Sequence, residues 1–246
     1  MIRLVATIVA ALALAGAASA GGVTPLRLTS APTPGFAVPR YDTSGTFPQL
    51  AGAPGVNALL RAVVLDDQRK YAVTAKRVVG WLSPTFKGRG VYETGVVPSL
   101  VSGSTEVASA MFPVRALYPG GTDGDRWLSL TVEIPTSRLV EVSDLFAKPA
   151  TGLAKLAAAA RARVLATNSC VAGGDRKLLA EGTRPTAENF THFALTPAGL
   201  AVGFQLGQVA ESACGRVEAT VPYAALRPSL SPLGQRLVAG VRAPRR

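Results

Sequence analysis

Val56, Leu59, Leu60, Val63 and Val64 recur at helical spacing ahead of the polar run Asp66-Asp67-Gln68-Arg69-Lys70, which predicts a first helix over about residues 54–72. Three strands are then predicted, at about 96–101, 107–117 and 127–134. In the last, Leu128, Leu130, Val132 and Ile134 alternate with Ser129, Thr131 and Glu133, the pattern of an antiparallel sheet with one face covered and the other wet. Gly120 to Asp125 is the turn before it. A second helix is predicted from Thr151, a candidate N-cap, through Leu153, Leu156, Ala160 and Val164. Further on, Phe190, Phe193 and Leu195 lead into the turn Thr196-Pro197-Ala198-Gly199 and the apolar run Leu200 to Phe204, a hairpin signal. Val217, Ala219 and Val221 then alternate with Glu218 and Thr220, and Pro222 ends that strand at a short helix over Tyr223-Ala224-Ala225-Leu226. Strands, helix and more strands without regular βαβ alternation predict the α+β class, an antiparallel sheet with two main helices packed on one face.

The ends of the chain read differently from its middle. Arg3, the apolar segment Leu4 to Ala15 and the small residues Ala18-Ser19-Ala20 have the form of an export signal cleaved after Ala20, so residues 1–20 are assigned to a signal peptide. An uncleaved anchor is the competing reading, but the apolar stretch is shorter than the roughly 20 residues that span a bilayer. Residues 21–40, rich in Pro and Gly without hydrophobic period, are expected to form a flexible linker. Residues 41–230 are expected to be a single domain, and 231–246 a flexible basic tail with Arg236, Arg242, Arg245 and Arg246. The expected location is secreted or extracytoplasmic, with no transmembrane span in the mature chain.

That compartment bears on the two cysteines. Cys170 and Cys214 are the whole complement, and an even count in an oxidising environment predicts a disulfide between them rather than two buried thiols. The alternative of Cys170 with His192 as nucleophile and base has no local signature behind it.

Charge changes the picture less. The 26 basic and 15 acidic residues leave +11, or +10 once Arg3 is lost with the signal, a balance that attracts polyanions. The basic residues look scattered, without the interleaved aromatics of a stacking platform, so no specific nucleic-acid binding is expected.

Motifs of chemistry are absent: there is no Gly-x-Ser-x-Gly, phosphate-binding glycine loop or His-Glu-x-x-His, and one histidine makes no His-rich metal site. No cofactor, metal or catalytic residue is therefore expected. Asp123 and Asp125, with Glu133, form the best acidic group, suited to ligand or ion contact or to a carboxylate pair. Acidic residues in a Gly-rich turn also serve turn geometry alone.

The run Asn189 to Leu200, then Gln208-Val209-Ala210 and Val221-Pro222-Tyr223-Ala224-Ala225-Leu226, resembles the end of the RsiV-type extracytoplasmic domain. Tyr118-Pro119-Gly120-Gly121 and Leu139 to Phe146 resemble its glycine-pair turn and Leu-x-Asp-Leu-Phe segment, so the resemblance spans about residues 40–230. The family occurs in a membrane-bound anti-sigma factor that binds lysozyme, in PdaC-type deacetylases and as a stand-alone secreted mycobacterial antigen. The resemblance implies a secreted, non-catalytic cell-envelope binding module whose partner is an envelope protein or an anionic cell-wall polymer. Thr122-Asp123 stand where the family's turn continues with His, and lysozyme, being basic, would be repelled by this chain. The alternatives are a cell-wall glycan hydrolase using the acidic residues, and a polyanion-binding secreted protein.

Overall fold

The computed structural model describes residues 26–119 and 124–242; the signal segment with Ala20 lies outside them. The elements run β1 (Leu28–Pro32), β2 (Tyr41–Leu50), α1 (Pro54–Trp81), β3 (Gly90–Thr94), β4 (Val101–Gly103), β5 (Val107–Leu117), β6 (Arg126–Glu133) and β7 (Arg138–Leu139). There follow α2 (Pro149–Thr167), α3 (Ser169–Gly173), α4 (Arg176–Gly182), β8 (Phe193–Thr196), β9 (Gly199–Phe204), β10 (Val217–Val221), α5 (Tyr223–Leu226) and α6 (Pro232–Arg242). The class is α+β, as the pattern predicts.

Two sheets share the strands. The first has the order β1-β2-β3-β5-β6-β7 with β4 also on β5, and the second the order β10-β9-β8. Among the described strands only β2 and β3 pair in parallel, and α1 is the crossover that such a pair requires. Its start is clamped to the end of β2, because the Asn57 amide accepts from Leu50 N and donates to Leu50 O at 2.8 and 3.0 Å. Val56, Leu60, Val64, Tyr71 and Ala75 lie buried against Phe47, Tyr92, Phe112, Leu128 and Leu130 of the first sheet. The helix continues past the predicted residue 72 because Ala75, Val78 and Val79 prolong the same face.

The opposite side of this sheet meets the second sheet, and α2 covers the second sheet's far face through Leu153, Leu156, Ala160 and Val164. The two long helices thus cover different sheets instead of sharing one face. The polar side of β6, expected to be wet, is largely covered: Thr131 and Glu133 are only 4% and 8% exposed. Hydroxyls make that possible. The outward backbone of edge strand β8 bonds to side chains where a strand would otherwise be needed, since Leu195 N donates to Ser109 Oγ at 2.8 Å and Ser102 Oγ donates to Leu195 O. Ser109 is in turn hydrogen-bonded to Thr131, and Tyr223 OH accepts from Thr196 N and donates to Thr196 O. At the dry centre of the seam Met111 and Trp127 pack on Ala194 and Ala201, and a Cβ at Gly203 would stand 2.6 Å from the indole. Only glycine admits that approach.

Both predicted flexible ends contain ordered structure. Within the supposed linker, β1 adds antiparallel to β2 from Leu28↔Leu50 to Pro32↔Thr46, an edge position that tolerates its proline. Within the supposed tail, α6 starts on Ser231, whose Oγ accepts from Gly234 N, and buries Leu237, Val238 and Val241. Leu233, Leu237, Val238 and Val241 recur at helical spacing there and outweigh the four arginines of the segment.

Candidate functional site

Of the acidic residues singled out from sequence, Asp125 and Glu133 do not converge. Asp123 falls outside the described residues. Asp125 accepts from Arg216 Nη1 at 2.9 Å, and that guanidinium lies 5.6 Å from the Trp127 ring and also donates to Val114 O. Glu133, at the other end of β6, accepts from Arg236 at 2.6 Å and from the Thr136 hydroxyl at 2.8 Å. Burial opposes its ionisation, but Thr136 and Arg236 outweigh burial and hold its carboxyl below the usual range. Eight strand residues at about 3.3 Å each separate Asp125 from Glu133 by roughly 26 Å. A glycosidase pair needs less than about 10 Å.

Cys170 and Cys214 are joined, with Cα atoms 5.7 Å apart, so no thiol is available to His192. Burial pushes the His192 imidazole down to about 4, which makes it neutral at pH 7. The Asn189 amide donates to Glu181 O and Arg184 O and fixes the loop before β8.

A cluster not foreseen in the sequence gathers Asp67 and Tyr71 of α1 with Tyr92, Tyr118 and Arg126 of the first sheet and its ends. Asp67, on α1, accepts two hydrogen bonds from Arg126 at 2.7 and 2.6 Å and a third from Tyr92 OH at 2.6 Å. Arg126 also donates to Gly124 O and lies 5.0 Å from the Tyr71 ring. Tyr71 stacks on Tyr118 at 4.6 Å and meets Tyr41 and Phe36 edge-on or tilted. The Tyr41 and Tyr71 hydroxyls, both buried, have no contact of hydrogen-bond geometry among the described residues, although they lie within electrostatic reach of each other and of Tyr118. Burial is the main cause that pushes the Tyr41 phenol up to about 12 and raises those of Tyr71 and Tyr92 as well. The signal in the sequence was four of the five tyrosines in the first half of the chain, but nothing in their spacing says that they meet.

Accessible surface lies elsewhere. A groove of about 630 Å³ runs between the β8–β9 turn, α5 and α6, lined by Pro197, Pro222, Tyr223, Arg227 and Val238 among others. A smaller one of about 320 Å³ follows β10, the free edge of the second sheet, between Arg163 and Thr167 of α2 and Arg216, Glu218 and Thr220. Charge is also less scattered than its sum suggests. Residues 68–92 contain six basic side chains and no acidic one. Among the described residues no group of three His, Cys, Asp or Glu side chains is placed to hold a metal, and no helix is long and apolar enough to cross a membrane.

Residues 143–224 match the family described as "Protein of unknown function (DUF3298)". Two crystal structures of that family share the fold. One, from Pseudomonas aeruginosa PAO1, is 14% identical with a TM-score of 0.53 over 87% of this chain and 96% of its own. The other, from Bacteroides fragilis NCTC 9343, is 12% identical with a TM-score of 0.55 over 91% and 99%. No curated protein sequence matches the chain.

Proposed function

We propose that the protein is a secreted, non-catalytic binding module of the cell envelope, related to the RsiV-type extracytoplasmic domain. The observation that carries this reading is the fate of the acidic side chains on β6: Asp125 and Glu133 are each held by an arginine, at opposite ends of the strand. So far apart, they do not form a carboxylate pair with each other for acid–base work. The export-type N-terminus and the disulfide support the extracytoplasmic compartment. Its partner is an envelope protein or an anionic polymer of the wall, with lysozyme disfavoured by like charge.

The test is retention of envelope components on the exported protein, run beside a peptidoglycan-release assay. Specific retention without release of sugar or peptide fragments is expected. Fragment release that vanishes in Asp125→Asn would replace this reading with the glycan hydrolase. Binding that collapses with salt and shows no preference among polyanions would replace it with general polyanion binding.

A further inference from the structure

The C-terminal half of α1 and the loop after it form a tip unlike the rest of the surface. Arg69, Val73, Arg77 and Trp81 follow one another at four-residue spacing and are all exposed, so they make one ridge along the outer side of the helix. Trp81 is 77% exposed and Val73 63%, the two most exposed large apolar side chains among the described residues. Leu82 and Phe86, just beyond, are partly exposed, and a Cβ at Gly80 would meet open space. Trp127, the other tryptophan, lies 5% exposed in the seam between the sheets.

The charges along this stretch of chain are of one sign. Of the six basic residues between 68 and 92, Arg69 and Lys70 are engaged by Asp66, and Arg89 by Asp42. Lys76, Arg77 and Lys87 make no ion pair among the described residues, and all three are exposed on the same stretch of chain as Trp81, Leu82 and Phe86. An exposed indole on a stretch that also carries partly exposed apolar residues and unpaired cations matches the boundary of an anionic bilayer: phosphates outside, acyl chains just beneath. A purely polyanionic partner calls for a track of cations and has no use for the apolar tip.

We propose that this tip docks the protein onto an anionic lipid surface, with Trp81 entering the headgroup layer and Lys76, Arg77 and Lys87 contacting lipid phosphates. The proposal rests on the envelope reading for its compartment and adds the partner to it.

The experiment uses the protein recovered after export and vesicles of phosphatidylglycerol, with phosphatidylcholine vesicles and soluble polyphosphate as comparisons. Since Trp127 is already buried, Trp81 dominates any change in tryptophan emission. Phosphatidylglycerol should shift emission to the blue and protect it from acrylamide, while phosphatidylcholine and polyphosphate should not. Trp81→Ser should abolish the shift and weaken co-sedimentation with vesicles about tenfold or more. Lys76→Glu, Arg77→Glu and Lys87→Glu should each weaken it by at least about fivefold, an effect that fades with salt. All four positions are at the surface, and unchanged thermal unfolding of the variants separates lost docking from lost fold. Equal sedimentation of wild type and Trp81→Ser would overturn the proposal. So would polyphosphate or wall-polymer binding without vesicle binding, an outcome that leaves the envelope reading standing; failure to retain any envelope component would sink both.

Discussion

Replacing Arg126 by Met tests whether the Asp67 cluster ties α1 to the first sheet. The substitution keeps most of the side-chain volume but removes two charge-assisted hydrogen bonds to Asp67, one to Gly124 O and the cation over Tyr71. Asp67, whose side chain is only 12% exposed, would keep Tyr92 OH as its remaining donor among these contacts. Breaking a buried pair costs about 3–5 kcal/mol. Because the guanidinium is 20% exposed and water can reach it, about 2–3 kcal/mol is expected. Asp67→Leu should cost a similar amount by stranding Arg126. The double variant should cost little more than either single one, a coupling of about 2 kcal/mol, because no lone charge is left. Urea unfolding of the four proteins, followed by far-UV circular dichroism, gives the cycle. Single effects that simply add, or an Arg126→Met cost under about 1 kcal/mol, would refute the reasoning.

Three further outcomes are expected. Removing the disulfide by Cys170→Ser with Cys214→Ser frees a loop of 44 residues, which the chain-entropy relation values at about 4 kcal/mol, read as a lower urea midpoint and matched by reductant on the wild type. Tyr223→Phe deprives Thr196 N and Thr196 O of their shared partner in a buried strand edge and should cost about 2 kcal/mol in the same unfolding assay. The phenols of Tyr41, Tyr71 and Tyr92 hold their protons more tightly folded than unfolded, so their stability contribution is complete below about pH 10 and declines as pH rises toward 12 and beyond. Unfolding midpoints that stay level from pH 9 to 12 would contradict it.

The local elements were legible where one rule dominated. Thr196-Pro197-Ala198-Gly199 turned as its residues require, Val217 to Val221 formed the alternating strand, and Pro222 ended it at a short helix. The weak or mixed signals went astray: β1 carries a proline and few apolar residues, β2 and β3 were not foreseen, and α6 hides its apolar positions among arginines. The strand expected over 96–101 is instead a 3-10 turn at Pro98–Leu100, where the proline has no N–H to give a sheet, followed by β4. The Tyr and Asp67–Arg126 cluster was illegible for another reason. Asp67 and Arg126 are 59 residues apart, and only the placement of α1 on the sheet brings them into contact.

Periodicity, turn chemistry and an even cysteine count were enough to establish the α+β class, the bounds of β5, β6 and β10 to within a residue and the Cys170–Cys214 pairing, because each depends on neighbours along the chain or on simple counting. Which face of a strand meets water is not such a property. Ser102, Ser109 and Thr131 look like solvent-facing residues in one dimension, yet they satisfy the edge of β8 and the polar lining of a seam between two sheets. The same holds for charge: Asp125 and Glu133 lose their candidacy as a pair only when distance through space replaces distance along the chain, and Trp81 stands out from Trp127 only by its exposure. Hydrogen bonding and electrostatics act between atoms a few ångströms apart, and packing decides which atoms those are.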